Sequence, residues 1–141
     1  MSNEFKDLIE NGAWALRKSL KMFLDKYQEV EENTARSELS TDERSQLVIL
    51  YQVQDKISDA YYLLKNLDKP VRAEGRLEKQ SNGRYQVDGV ELTSGSYVEF
   101  FDDDEDGGCY VPSRVEHNGE DYYIVALGRE KSIEGLRVRI K

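Results

Sequence analysis

The sequence predicts an α+β protein, an N-terminal antiparallel two-helix hairpin followed by a small antiparallel β-barrel of the SH3-like kind. Three observations predict it. Nine of the ten glycines fall after Pro70. Before that point apolar residues recur every three or four positions, the spacing of one helical stripe. After it, short β-prone runs alternate with Asn-Gly and Asp-Gly turns. The boundary divides the 141 residues into a helical hairpin, 1–69, and a barrel domain, 70–141.

The first stripe runs through Phe5, Leu8, Ile9, Gly12, Leu16, Leu20, Phe23, Leu24, Tyr27 and Val30. Polar residues from Glu31 to Leu39 interrupt it, and Ser40-Thr41-Asp42-Glu43 supplies a capping box in which serine and glutamate satisfy opposite orphan donors. The second helix carries Leu47, Leu50, Tyr51, Gln54, Ile57, Tyr61 and Leu64 and stops before Pro70, which cannot continue the ladder. Arms of about 28 residues are each ~40 Å long. Such a hairpin cannot hide both stripes alone. It must pack on the second half, on a copy of itself or on a different protein, and Val48, Val53, Ala60 and Leu63 widen the surface that needs covering.

In the second half the expected strands are Val71 to Glu78, Arg84 to Val87, Val90 to Leu92, Tyr97 to Phe101, Cys109 to Glu116, Tyr122 to Leu127 and Leu136 to Ile140. Turns at Asn82-Gly83, Asp88-Gly89, Gly107-Gly108 and Asn118-Gly119 separate them, because glycine accepts the positive φ that tight hairpins require. Five or six strands in about 70 residues, with no helix between them, suit an SH3-like barrel; an OB-like barrel is the alternative.

Gly83-Arg84-Tyr85, the run Glu91-Leu92-Thr93-Ser94-Gly95-Ser96, Arg114-Val115-Glu116-His117, Tyr122-Tyr123 and Leu136-Arg137-Val138-Arg139 resemble a small uncharacterised domain family of proteins from bacterial mobile elements and phages. The resemblance covers about half of the chain. It implies a mobile-element setting and brings no catalytic or binding residue with it. Thr93-Ser94-Gly95-Ser96 reads physically as a turn between strands.

Chemistry-bearing motifs are few. Cys109 and His117 are the lone thiol and imidazole, and on one strand they stand ~26 Å apart, so a buried cysteine and a surface or turn histidine are expected. Two such residues cannot build a tetrahedral zinc site. Neither a phosphate-binding glycine loop nor a nucleophile elbow occurs. Asp102, Asp104, Asp106 and Gly107 match the first half of a calcium loop, but Ser113 occupies the position of the bidentate glutamate. The expectation is therefore a protein that is not an enzyme and holds no cofactor or metal.

Charge is the informative property. The chain carries 20 basic and 28 acidic residues, net −8, with mean hydropathy −0.73. The acids are concentrated: Tyr85 to Gly128 holds eleven acids and one base, net −10. No basic segment precedes an apolar one at the start and no run approaches a membrane span, so the expected location is the cytoplasm of a bacterial host cell.

Carboxylates interleaved with aromatics form a surface suited to a basic protein groove. The chain thereby looks like an anti-CRISPR inhibitor, a family of short, acidic, non-catalytic proteins. The leading expectation is an acidic inhibitor that occupies a basic nucleic-acid-binding surface of a host defence protein, a Cas9-type nuclease foremost, without binding nucleic acid or membrane itself. Its contact residues are Asp102, Asp103, Asp104, Glu105 and Asp106 as phosphate surrogates, with Phe100, Phe101 and Tyr110 beside them. The alternative is a regulatory module that forms a homodimer through the helical hairpin and recruits a protein with the barrel. A third reading, nucleic-acid binding by Arg72, Arg76, Arg84, Arg137 and Arg139, requires those arginines to gather on one face and is opposed by the net charge.

Overall fold

A computed structural model describes residues 2–104 and 106–141. The chain is α+β and divides into two units, Met1–Asp68 and Lys69–Lys141.

The first unit is helical. α1 (Asn3–Asp7) runs through a π-helical segment, Leu8–Gly12, into α2 (Ala13–Asn33). The wider π turn ends at Gly12, where a Cβ would lie 3.2 Å from Leu8 Cδ1. A 3₁₀ turn at Arg36–Glu38 leads to α3 (Thr41–Leu67). The capping box that starts α3 forms as the sequence dictates. The Glu43 backbone N–H donates to Ser40 Oγ (3.1 Å), and the Ser40 N–H donates to Glu43 Oε1 (2.9 Å). Arg17 Nη1 of α2 lies 4.0 Å from the Asp68 carboxylate just past α3, which puts the start of one long helix near the end of the other. No helix among the described residues is long and apolar enough to cross a membrane.

Among its described residues the second unit has eight short strands, not five or six. They are β1 (Ala73–Arg76), β2 (Glu78–Lys79), β3 (Tyr85–Val87), β4 (Val90–Glu91), β5 (Tyr97–Asp102), β6 (Cys109–His117), β7 (Tyr122–Ile124) and β8 (Arg137–Ile140). All pairs are antiparallel. They form two sheets, ordered β1-β8-β5-β6-β7 and β2-β3-β4. The predicted barrel is therefore open among the described residues. Its first expected strand breaks at buried Leu77. The Leu77 N–H donates to the Leu136 carbonyl and its carbonyl accepts from the Gly135 N–H, so β1 stays with β8 while β2 turns onto the second sheet. At the far edge, turns from Ile124 to Gly128 carry the chain away after three residues of β7.

Both sheets share one apolar core, in which Val98 and Phe100 of β5, Val138 and Ile140 of β8 and Tyr85 and Val87 of β3 meet. The β3–β4 turn has φ +48° at Asp88 and φ +78° at Gly89, the doubly left-handed turn that Asp-Gly favours.

Candidate binding face

Alternation along β5 decides what each side chain does. Val98 and Phe100 point into the core, so Tyr97, Glu99 and Phe101 lie on the opposite face. Phe100, expected as a partner contact, is 5 % exposed and is corrected to a core residue. Phe101 stays on the outer face opposite Tyr110, the rings edge to face with centroids 5.3 Å apart.

Register then builds the outer face of the five-stranded sheet. Glu74 of β1, Arg139 of β8, Glu99 of β5 and Pro112 of β6 stand in one row. Arg76 and Arg137 are paired in the next, and the Arg137 guanidinium lies 4.4 Å from the Phe101 ring centre. Arg139 lies 4.3 Å from the Tyr110 ring. Arg137 Nε donates to Tyr110 Oη (3.0 Å), and the Tyr110 hydroxyl donates to Glu74 Oε1 (3.0 Å). Arg72 Nε donates to the main-chain oxygen of Lys141 (3.3 Å) and Arg76 Nη1 to the Gly135 carbonyl (3.0 Å).

At the centre is Glu99, a buried charge on this face. It accepts from the Tyr97 hydroxyl and from Arg139 Nε (2.6 Å), with Lys141 Nζ 3.3 Å away. Burial pushes its carboxyl up, but the hydrogen bonds from Tyr97 and Arg139 and the charge of Lys141 outweigh it and hold the group below the usual carboxylate range. Burial and the bond to Glu99 push the Tyr97 hydroxyl upward.

The acidic stretch is less anionic in space than in sequence. Glu91 pairs with Arg84 (2.8 Å), Glu116 with Arg114 (3.3 Å), Asp121 with Lys79 (3.3 Å), and Glu99 with two bases. Arg84 is thereby tied to the second sheet, whereas Arg72, Arg76, Arg137 and Arg139 share the first.

The acidic loop joins β5 to β6. Asp102, Asp103, Asp104 and Asp106 are exposed, and Glu105 lies outside the described residues. Asp104 shapes the loop, its Oδ1 accepting from the backbone of Asp106 (2.9 Å) and of Gly108 (3.0 Å). Gly108 is required: φ is +87°, and a Cβ there would lie 2.6 Å from Phe101 Cζ and 2.8 Å from the Asp102 carbonyl. Among the described residues no three His, Cys, Asp or Glu side chains stand together as metal ligands.

Cys109 and His117 occupy opposite ends of β6. Cys109 is exposed rather than buried, because it sits on the last rung of β5–β6 beyond the core. His117 is a turn residue, its Nδ1 accepting from the Gly119 N–H (3.0 Å). The Thr93–Ser96 segment is also a turn, closed by the Ser96 N–H to the Thr93 carbonyl (3.0 Å).

No curated protein and no solved structure matches the chain. Most of the residues that build this face, Arg72, Glu74 and Lys141 excepted, lie within residues 75–140, which match the family model of a domain of unknown function, DUF5348.

Proposed function

We propose that the protein is a non-enzymatic binding module, and that the outer face of its five-stranded sheet holds a single strand of nucleic acid. The observation behind this reading is the state of Arg76 and Arg137. Among the described residues these two guanidiniums bond to a neutral carbonyl and a neutral hydroxyl and to no carboxylate. A guanidinium held by a carbonyl is pre-oriented yet keeps its charge and its remaining N–H groups for a phosphate. Phe101, Tyr110 and the arginine planes offer stacking surfaces for bases. The net charge of −8 opposes this less than composition implies, since many acids are paired with bases or sit in turns. In the same proposal the long helices form a two-arm antiparallel hairpin, and the paired sheets are an open variant of the SH3-like barrel.

Fluorescence anisotropy with a labelled single-stranded oligonucleotide tests it. Three or four phosphate contacts give a slope of about −2 to −3 in log K against log salt. Arg76→Ser with Arg137→Ser should weaken binding at least tenfold, leaving Arg139 to hold Glu99. Absence of binding at low salt, or equal binding by the double variant, refutes the reading.

A second reading rests on the acidic loop. Asp102, Asp103 and Asp106 pair with no base among the described residues, which supports an inhibitor that presents carboxylates to the basic groove of a nuclease of the Cas9 type. Cleavage by such a nuclease should fall on adding the protein and recover when residues 102–106 are changed to Asn or Gln. Inhibition that survives neutralisation removes the loop from the mechanism.

A further inference from the structure

Bases are segregated within the helical unit. Asn11 to Leu24 and Ala60 to Leu67 hold Arg17, Lys18, Lys21 and Lys65 and no acid, whereas the rest of residues 1–68 holds five bases and thirteen acids. On α2 the cations share a face with Trp14 and Met22, since positions 14, 17, 18, 21 and 22 follow one helical stripe. That stripe lines a cleft of about 290 Å³, and Tyr61 of α3 completes the lining. Lys18 Nζ lies 5.5 Å from the Trp14 ring centre. Lys65, one turn beyond Tyr61, places its Nζ 5.6 Å from the Tyr61 ring centre and 5.7 Å from that of Tyr62.

Two features set this cleft apart from a solvated helix face. Tryptophan is highly buried on average, yet Trp14 is 59 % exposed and Met22 beside it 66 %. The cations around it are also short of acid partners. Among the described residues Lys18 and Lys65 make no ion pair, and Arg17 reaches Asp68 only at 4.0 Å; Lys21 alone is closely paired, with Asp25 at 2.6 Å.

We propose that this cleft is a nucleic-acid contact of the helical unit: it takes one base of a single strand against Trp14, and Arg17, Lys18 and Lys65 hold the adjoining phosphates. An exposed aromatic ring among unpaired cations is the combination by which single strands are held, stacking for the base and charge for the backbone. The cleft is smaller than the ~300–1,000 Å³ pockets that enclose a whole small molecule, so it admits a base and leaves the backbone outside. A mononucleotide brings one phosphate group to a site that runs ~10 Å along α2 from Trp14 to Lys21. An acidic peptide would satisfy the cations and leave the rings without a planar partner. This contact belongs to the helical unit and stands whether or not the sheet face binds.

Trp14 is the single tryptophan of the sequence, so intrinsic fluorescence of the full chain reads this cleft and not the sheet. Titration at low salt with a single-stranded DNA of about 12 nucleotides should quench it to saturation, a result that needs no variant to fold. Lys18→Gln with Lys65→Gln should weaken that binding at least fivefold and shallow the slope of log K against log salt by about 1.4. Lys56→Gln, ~140° around α3 from Tyr61, should change neither. In anisotropy Trp14→Phe should bind as the wild type does, and Trp14→Ala about five- to a hundredfold more weakly. An anisotropy rise without quenching overturns this proposal and leaves the sheet-face reading standing; absence of both signals overturns both. Equal affinity for adenosine monophosphate, equal competition by a polyglutamate peptide, or a blue shift with anionic phospholipid vesicles and no response to DNA each overturns the strand as occupant.

Discussion

Replacing Glu99 by glutamine tests the electrostatics of the sheet face. The substitution keeps the shape and one acceptor oxygen but removes the charge that Arg139 approaches to 2.6 Å and Lys141 to 3.3 Å. The Glu99 and Lys141 side chains are only 6 % and 10 % exposed. At ~3 Å and an effective dielectric near 20 the gross attraction of one such pair is about 5 kcal/mol, of which desolvation cancels a large part. What remains is the cost of leaving a nearly buried ammonium beside a neutral amide, about 3 kcal/mol. For a unit of roughly 70 residues, that lowers the melting temperature by about 12–24 °C. Calorimetry of E99Q measures it directly, and E99Q with Lys141→Met should recover part of the loss by removing the stranded charge. A cost of E99Q below ~1 kcal/mol, or a double variant worse than the sum of the singles, refutes this account of the site.

Three further outcomes follow from the geometry. Gly108→Ala should cost about 2–3 kcal/mol, because the new methyl group meets Phe101 and the Asp102 carbonyl at a backbone angle alanine resists; thermal melting and the near-ultraviolet dichroism of the displaced Phe101–Tyr110 pair read it. Ser40→Ala should destabilise the start of α3 by ~1 kcal/mol, seen as lower helicity and an earlier helical melt. Stability of the β unit should fall at both extremes of pH. Asp121 is pushed up by burial, but the Tyr122 N–H, the Tyr85 hydroxyl and Lys79 hold it below the usual range. With Glu99, it contributes stability that is present above ~4 and lost as pH falls through the lower folded values. Burial and the bond to Asp121 raise Tyr85 from 10.0 to about 12, so its contribution is complete below pH 10 and is lost as pH rises through 12. The Tyr97 hydroxyl is raised as well, so Tyr85→Phe should remove part of the alkaline dependence in denaturant melts taken above pH 10.

What could be read in the sequence was local. Ser40 and Glu43 announce a helix start because both partners lie within one turn, and Asp88-Gly89 announces its hairpin because both residues tolerate positive φ. The run Tyr97-Val98-Glu99-Phe100-Phe101 is different. Aromatic or apolar residues occupy both parities, so composition leaves open which phenylalanine faces the core, and only pairing with Val138 and Val111 sends Phe100 inward. A period-two reading that took Val98 as core would have set Glu99 among Tyr97 and Phe101. The acids of residues 85–128 looked unopposed because their bases come from far along the chain: Lys79 for Asp121, Arg139 for Glu99. The gathering of the arginines is likewise a product of register between β1 and β8. The π-helical segment at Leu8–Gly12 leaves no trace in a three-to-four spacing.

The pairing of β1 with β8 also sets an order of events during synthesis. Ala73 has no ladder partner until Ile140 has been made, and Glu99 meets its bases only with Arg139 and Lys141. While the ribosome adds the residues between Arg76 and Arg137, β5 and β6 can pair with each other, but one edge of β5 stays open and Val98 and Phe100 lack the strand that covers them. Long-range closure of this kind slows folding and exposes an adhesive edge in the meantime. The domain thus depends on residues 137–141 for its shape, and a nascent chain in which they have not yet been made presents a sticky, unfinished sheet.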